Sequence, residues 1–262
     1  MTGAFDEFRA LHRAGDPLVL PNAWDFASAA SLVRAGFRAI GTTSLGVAAA
    51  AGLPDARGET RAETYALALR LSRLDCLVTV DIENGFSDHP GDVARLAFDL
   101  ASAGAVGVNI EDGRSDGGLA DVERQQELIR AIKRRVPHLF VNARTDTYWL
   151  RPDDPDLDET VARVRAYRDA GADGVFVPGL AAPDDIGRVV AATDAPLNVL
   201  FLAGRLTVPA LAELGVARIS TGSLLFRVAV GAAVSAAQAV ARGDDAPPDA
   251  PSYADVVALV GD

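Results

Sequence analysis

The sequence predicts an α/β chain closed into one (β/α)8 barrel of the TIM type, and three observations carry the prediction. Its 262 residues match the usual size of such a barrel, about 250. Strand-like and helix-like runs alternate with little between them, the pattern of parallel βα units. Polar residues collect at the C-terminal ends of the strands, where a barrel has its mouth.

Each element follows in order. Residues 4–14 place Phe5, Phe8 and Leu11 at helical spacing before Gly15, a short helix suited to cap the barrel bottom. Strand one is 17–24 (PLVLPNAW), followed by an Ala-rich helix at 25–35; strand two is 38–44 (RAIGTTS), followed by a loop and a helix at 60–74. Strand three, 77–85 (LVTVDIENG), precedes a helix at 91–103, and strand four, 105–112 (AVGVNIED), precedes a helix at 119–135. Strand five, 138–146 (HLFVNARTD), runs through a Pro/Asp-rich loop into a helix ending near Ala170. Strands six, seven and eight fall at 174–179, 196–204 and 217–223, each followed by a helical run. Gly in the AGA and AGF pieces at 35–37, 103–105 and 170–172, and in ELGVA at 213–217, supplies a helix stop before the next strand. The barrel occupies 1–242, and 243–262 form a tail with a short helix that packs on its own barrel or reaches a second subunit.

Composition narrows the function. Hydrophobic residues at 49% and charged residues at 23% describe a folded chain with a sizeable core. A net charge of -11 argues against nucleic acid or an anionic membrane as partner, since both require basic patches. The single cysteine, Cys76, allows no internal disulfide, and the N-terminus lacks a signal-peptide pattern; a cytoplasmic location is expected. Lys133 is the sole lysine and sits near the end of a helix, so a Schiff-base lysine at a strand end is excluded. His12, His89 and His138 are too scattered for a zinc site.

The chemistry is carried by strand ends. In LVTVDIENG, Asp81 and Glu83 are spaced i, i+2, which on an extended backbone points both to one side. Crowded acids call for a cation, and oxygen donors suit Mg²⁺ or Mn²⁺; a solvated strand exit is the alternative. Strands one, two, four and five add Trp24, Thr43 and Ser44, Asn109 and Glu111, and Asn142 and Arg144. Asn109 and Asn142 lie inside strands, where an unpartnered amide costs about 1–3 kcal/mol, so they imply a polar network. Arg144 offers a planar fork to a substrate carboxylate, or else neutralises Asp81 or Glu111. GTTSLG supplies N–H groups and hydroxyls for a carboxylate or enolate oxygen, and TGS at 221–223 reads as an N-cap for the last helix.

The segments PNAWD, GTTSLG with GLPD, DIENG, GVNIEDG and NARTD, in this order, resemble the isocitrate lyase and phosphoenolpyruvate mutase superfamily. The resemblance implies a barrel whose last helix is commonly exchanged within a homo-oligomer, dimer or tetramer, and a Mg²⁺ site acting on 2-oxo or 2-hydroxy acids. It implies Asp81 as direct metal ligand, Glu83 and Glu111 as holders of metal-bound waters, and Thr43, Ser44 and Leu45 as binders of substrate oxygens. Asp55 matches the acid of the loop after strand two, and Arg144 the substrate-binding arginine. Where the isocitrate and methylisocitrate lyases carry a KKCGH loop, this chain reads DGRSDGGLAD, which argues against those two activities. The expected function is Mg²⁺-dependent cleavage of a C–C bond in a small 2-oxo or 2-hydroxy dicarboxylate through an enolate. The alternatives are a mutase or hydrolase acting on a P–C bond, and a non-catalytic barrel serving as a binding protein.

Overall fold

In the computed structural model, which describes residues 2–245 and 250–260, the short β-branched runs pair side by side in parallel. The first stave is split into β1 (Leu18–Leu20) and β2 (Asn22–Ala23) at Pro21, which has no N–H to give a ladder. The others are β3 (Ala39–Thr42), β4 (Leu77–Asp81), β5 (Gly107–Glu111), β6 (Phe140–Arg144), β7 (Gly174–Val177), β8 (Leu197–Leu200) and β9 (Arg218–Ser220). Their order, β1-β9-β8-β7-β6-β5-β4-β3-β2, puts the two halves of the first stave at opposite ends of one sheet, which closes it into a barrel. Asn22 seals the joint: its Oδ1 accepts from the N–H groups of Thr221 (3.0 Å) and Gly222 (2.9 Å), and its Nδ2 donates to the Thr42 carbonyl (2.8 Å). The predicted (β/α)8 barrel is therefore the observed fold.

The helices are α1 (Thr2–Ala10), α2 (Phe26–Arg34), α3 (Ser44–Ala51), α4 (Arg61–Leu71), α5 (Pro90–Ser102), α6 (Val122–Arg135), α7 (Leu157–Asp169), α8 (Pro183–Ala192), α9 (Val208–Glu213), α10 (Leu224–Arg242) and α11 (Tyr253–Val257). Helix α3 lies where a loop was expected. Its sequence LGVAAAA is apolar on every side and gives no helical periodicity, while alanine propensity and the left-handed Gly52 (φ 70°) that ends it favour the helix. The paired strands are shorter than the predicted runs, 38–44 reducing to Ala39–Thr42 and 196–204 to Leu197–Leu200. A run's last residues continue past its neighbours' ladders into the mouth.

Alternation along each strand separates two layers. Val78, Val80, Ile82, Val108, Ile110 and Val141 point outward into the helical layer. Phe5 and Phe8 of α1 plug the barrel bottom against Leu20, Ala39, Leu77 and Phe140, so the leading helix caps the base. Lys133 is also at the base, where its Nζ donates to Asp173 (2.7 Å) and to the Leu139 carbonyl (3.0 Å).

Helix α10 is the exception to the packed shell. None of its 19 residues is buried, and Val228, Val230, Val234 and Val240 stand exposed. By length and composition it could cross a membrane, with a mean hydropathy of 1.7. Helix α11 also exposes Tyr253, Val256 and Val257. The predicted tail, 243–262, falls partly outside the described residues.

Candidate active site

Period-two alternation that aims Leu77 and Thr79 into the barrel carries Asp81 to its mouth. The Asp81 N–H donates to Thr42 Oγ1 (2.8 Å), and its carboxylate accepts from the Glu83 N–H (3.3 Å) and, at a long 3.5 Å, from the Ser44 N–H. Burial raises its pKa, Arg144 opposes the rise, and the neighbouring Asp55 adds to it. One strand further round, Glu111 is in register with Arg144. Arg144 Nη1 lies 2.7 Å from Glu111 Oε2 and its Nε 2.6 Å from Asp146 Oδ1. Burial alone would lower the arginine pKa, but Glu111, Asp146 and Asp81 hold it above its usual value, so the guanidinium stays charged. The Glu111 pKa is raised well above the usual range, by burial first and then by Asp146, Asp81 and Glu83, with Arg144 opposing.

These groups border a cavity of about 200 Å³ that also takes in Thr43, Ser44, Leu45, Asp55 and Asn109. Thr43 is the N-cap of α3 but makes no side-chain cap, so the helix's first-turn N–H groups beside the cavity meet only the long contact from Ser44 to Asp81. Three expected site residues lie elsewhere. Trp24 falls beyond β2 and packs edge-on against Phe226 of α10, with ring centroids 5.4 Å apart. Asn142 sits beneath the floor, donating from Nδ2 to Asn109 Oδ1 (2.9 Å). Glu83 is 2% exposed and turns away from the cavity, because its backbone adopts a left-handed φ of 49° and ends the strand's alternation. Its carboxylate instead accepts from the Gly58 N–H (3.1 Å) and Thr60 Oγ1 (2.5 Å), the end of the loop that brings Asp55 to the mouth. The TGS segment also departs from expectation: Ser223 makes no cap, and Thr221 is spent on Asn22.

Other residues at the site went unread in the sequence. Arg218 of β9 is fully buried under the floor, bonded through Nε to Ser220 Oγ (3.1 Å) and through Nη2 to Asn109 Oδ1 (3.3 Å), with Nη1 unpartnered. Burial brings its pKa down to about 9, with Asp81 opposing. Arg114, Trp149, Leu150, Phe176, Pro178 and Leu200 also line the wall. Gly113 is required beside Asp146, since a Cβ there would stand 2.3 Å from its Oδ2. Asp112, also at this strand end, is buried by Tyr167 (2.6 Å) and Arg163 (3.1 Å) and serves the packing of α7.

The donor set fits a hard divalent cation. Asp81 and Glu111 border the cavity, and Asp55 Oδ1 is buried without a hydrogen-bond partner. Among the described residues no three His, Cys, Asp or Glu side chains are already grouped for an ion. The fit is to an ion bound by one or two carboxylates and completed by water, the coordination that Mg²⁺ favours.

The profile of the phosphoenolpyruvate phosphomutase family matches residues 8–241. An uncharacterized protein of Mycobacterium tuberculosis is 46% identical over 255 residues, 97% of this chain and 96% of that protein. A 2-methylisocitrate lyase of Bacillus subtilis is 34% identical over 199 residues, 72% of this chain and 64% of the lyase. A crystal structure from Burkholderia cenocepacia J2315, provisionally named a phosphonomutase, superposes with a TM-score of 0.86 at 40% identity, over 91% of this chain and 99% of that one.

Proposed function

This chain belongs to the phosphoenolpyruvate phosphomutase family, and on that premise we propose that it is a Mg²⁺-dependent lyase or hydrolase. Its reaction is cleavage of a C–C bond in a small 2-oxo or 2-hydroxy acid through an enolate. The observation that carries the reading is the meeting of Asp81, the Glu111–Arg144 pair and the start of α3 around one cavity. Asp81 and Glu111 would hold the cation, whose chemistry when bound is polarisation of the substrate's oxygens.

The chain's own groups divide the remaining work. The N–H groups of residues 44 and 45 at the start of α3 meet the oxygen on which charge develops, a preorganised arrangement in which one lost donor costs roughly 3–4 kcal/mol. Arg144 orients the acid end. Asp55, with an unpartnered carboxylate oxygen, is the group free to move a proton. Glu83 fixes the loop that carries Asp55.

A P–C bond mutase or hydrolase is the second reading, favoured by the likeness to the Burkholderia cenocepacia protein. Turnover assays with Mg²⁺ on oxaloacetate, alkylmalates and phosphonopyruvate separate the two. Equal turnover by wild type and Asp81→Ala would contradict both, and no Mg²⁺-dependent binding of oxalate would leave the barrel as a non-catalytic binding protein. We further propose that a second copy of the chain covers α10, since its valines stand exposed among the described residues.

A further inference from the structure

We propose that the substrate carries an uncharged apolar substituent, a short alkyl or aryl group, on the side away from its acid end. This rests on the reading of the cavity as a 2-oxo or 2-hydroxy acid site. Strand order sets two arcs of the cavity wall apart, with Ser220 and Ser223 at the β9 end between them. The arc from β3 to β6 presents Thr43, Ser44, Asp81, Glu111 and Arg144 and carries most of the cavity's charge, with Leu45 and Ala56 as its apolar members. The arc from the loop after β6 through β7 to β8 presents Trp149, Leu150, Phe176, Pro178 and Leu200, and its one charged lining residue among the described residues, Asp146, is ion-paired with Arg144 (2.6 Å).

Trp149 is the sharper observation. It is 53% exposed at the cavity lip, an indole left in water by folding. Both flanks hold it in place: the Leu150 N–H donates to the Asp146 carbonyl (2.9 Å), Thr147 Oγ1 shares a hydrogen bond with Thr160 Oγ1 (2.7 Å), and the buried Tyr148 donates to Asp185 (2.8 Å). A half-exposed indole on a held stretch of backbone beside an apolar wall is placed for an apolar ligand group. A second carboxylate pointed at this arc would lose its water and find only the neutral Trp149 indole N–H as a donor, Arg144 being already paired with Glu111 and Asp146. The other cation at the cavity, Arg114, lies in the loop after β5 on the charged arc, within 3.7 Å of Asp116.

The test uses probes that share the oxalate-like head and differ only in tail: oxalate, N-methyl-, N-butyl- and N-phenyloxamate, and N-carboxymethyloxamate. Affinities are measured by calorimetry with Mg²⁺ present, and tryptophan fluorescence is followed in parallel. Affinity should rise about fourfold for each buried methylene from methyl to butyl. The phenyl probe should perturb the tryptophan emission, and the carboxymethyl probe should bind more weakly than the butyl one. In Trp149→Ala the ratio of butyl to methyl affinity should collapse toward one. If oxalate itself fails to bind with Mg²⁺, the acid-site reading falls, and this inference with it. If oxalate binds but the alkyl series is flat, the inference alone is overturned. It is equally overturned if the carboxymethyl probe binds tightest and loses that advantage in Arg114→Gln, which would assign the far end of the substrate to Arg114.

Discussion

Arg144 on β6 is clamped between Glu111 and Asp146, with Nη1 2.7 Å from the first and Nε 2.6 Å from the second. One planar group thereby neutralises two buried acids at the lip of the cavity. A lysine has the charge but cannot span both carboxylates. Arg144→Lys should therefore lower kcat/KM at least about 100-fold on whichever acid the wild type turns over, equivalent to about 2.7 kcal/mol. Arg144→Met strands Glu111 and Asp146 without a counter-charge and should cost about 3–5 kcal/mol of stability, read from urea unfolding.

Glu83 should act through the loop it holds. Removing its carboxylate in Glu83→Ala frees the Gly58 N–H and Thr60 hydroxyl, two groups that close the segment bearing Asp55. Trypsin should then cut after the exposed Arg57 several-fold faster than in wild type. An unchanged cleavage rate would show that the loop is held by other means.

Assembly is tested at α10. The 27.3 kDa chain should sediment as a dimer or larger species, and Val228→Asp with Val234→Asp should return it to the monomer. A wild-type monomer at micromolar concentration would contradict the proposed second copy, and partition into detergent or vesicles would assign α10 to a membrane.

Acid sensitivity should originate at the barrel base. His12 stacks on Phe140 at 4.5 Å, and burial, followed by the charge of Arg218, brings its pKa down to about 3 from 6.5. A pKa lower in the folded chain than in the unfolded chain means that folding disfavours the proton. The stability is therefore present above pH 6.5 and lost as the pH falls from there toward 3, by up to a few kcal/mol. His12→Phe keeps the ring stack without the titration, so its stability should fall less than that of wild type between pH 7 and 4.5.

Strand periodicity made Asp81, Glu111 and Arg144 legible, because an apolar run ending in i, i+2 polar residues fixes which face they share. The same rule misplaced Glu83, since it holds only while the backbone stays extended and the chain turns left-handed at that residue. Trp24 was misread for a related reason: it lies past the end of β2, where alternation no longer applies, and a contact with α10 decides its direction. Arg218 was illegible because a lone arginine in ARIS reads as a surface group until closure of the barrel buries it. The apolar arc was hidden by its composition. Phe176 and Leu200 at strand ends look like core, and their place on the cavity wall appears only when the strands are set in order around the barrel.

Under the proposed function, Asp81 anchors a cation which, with the α3 amides, receives an enolate-like oxygen pair. Calorimetry of oxalate binding with and without Mg²⁺, on wild type and Asp81→Asn, tests it most directly. The account predicts tight oxalate binding by wild type only with Mg²⁺, and loss of at least about 100-fold in affinity in the variant, about 2.7 kcal/mol. Oxalate binding of equal strength in the two proteins, or binding indifferent to Mg²⁺, would contradict it.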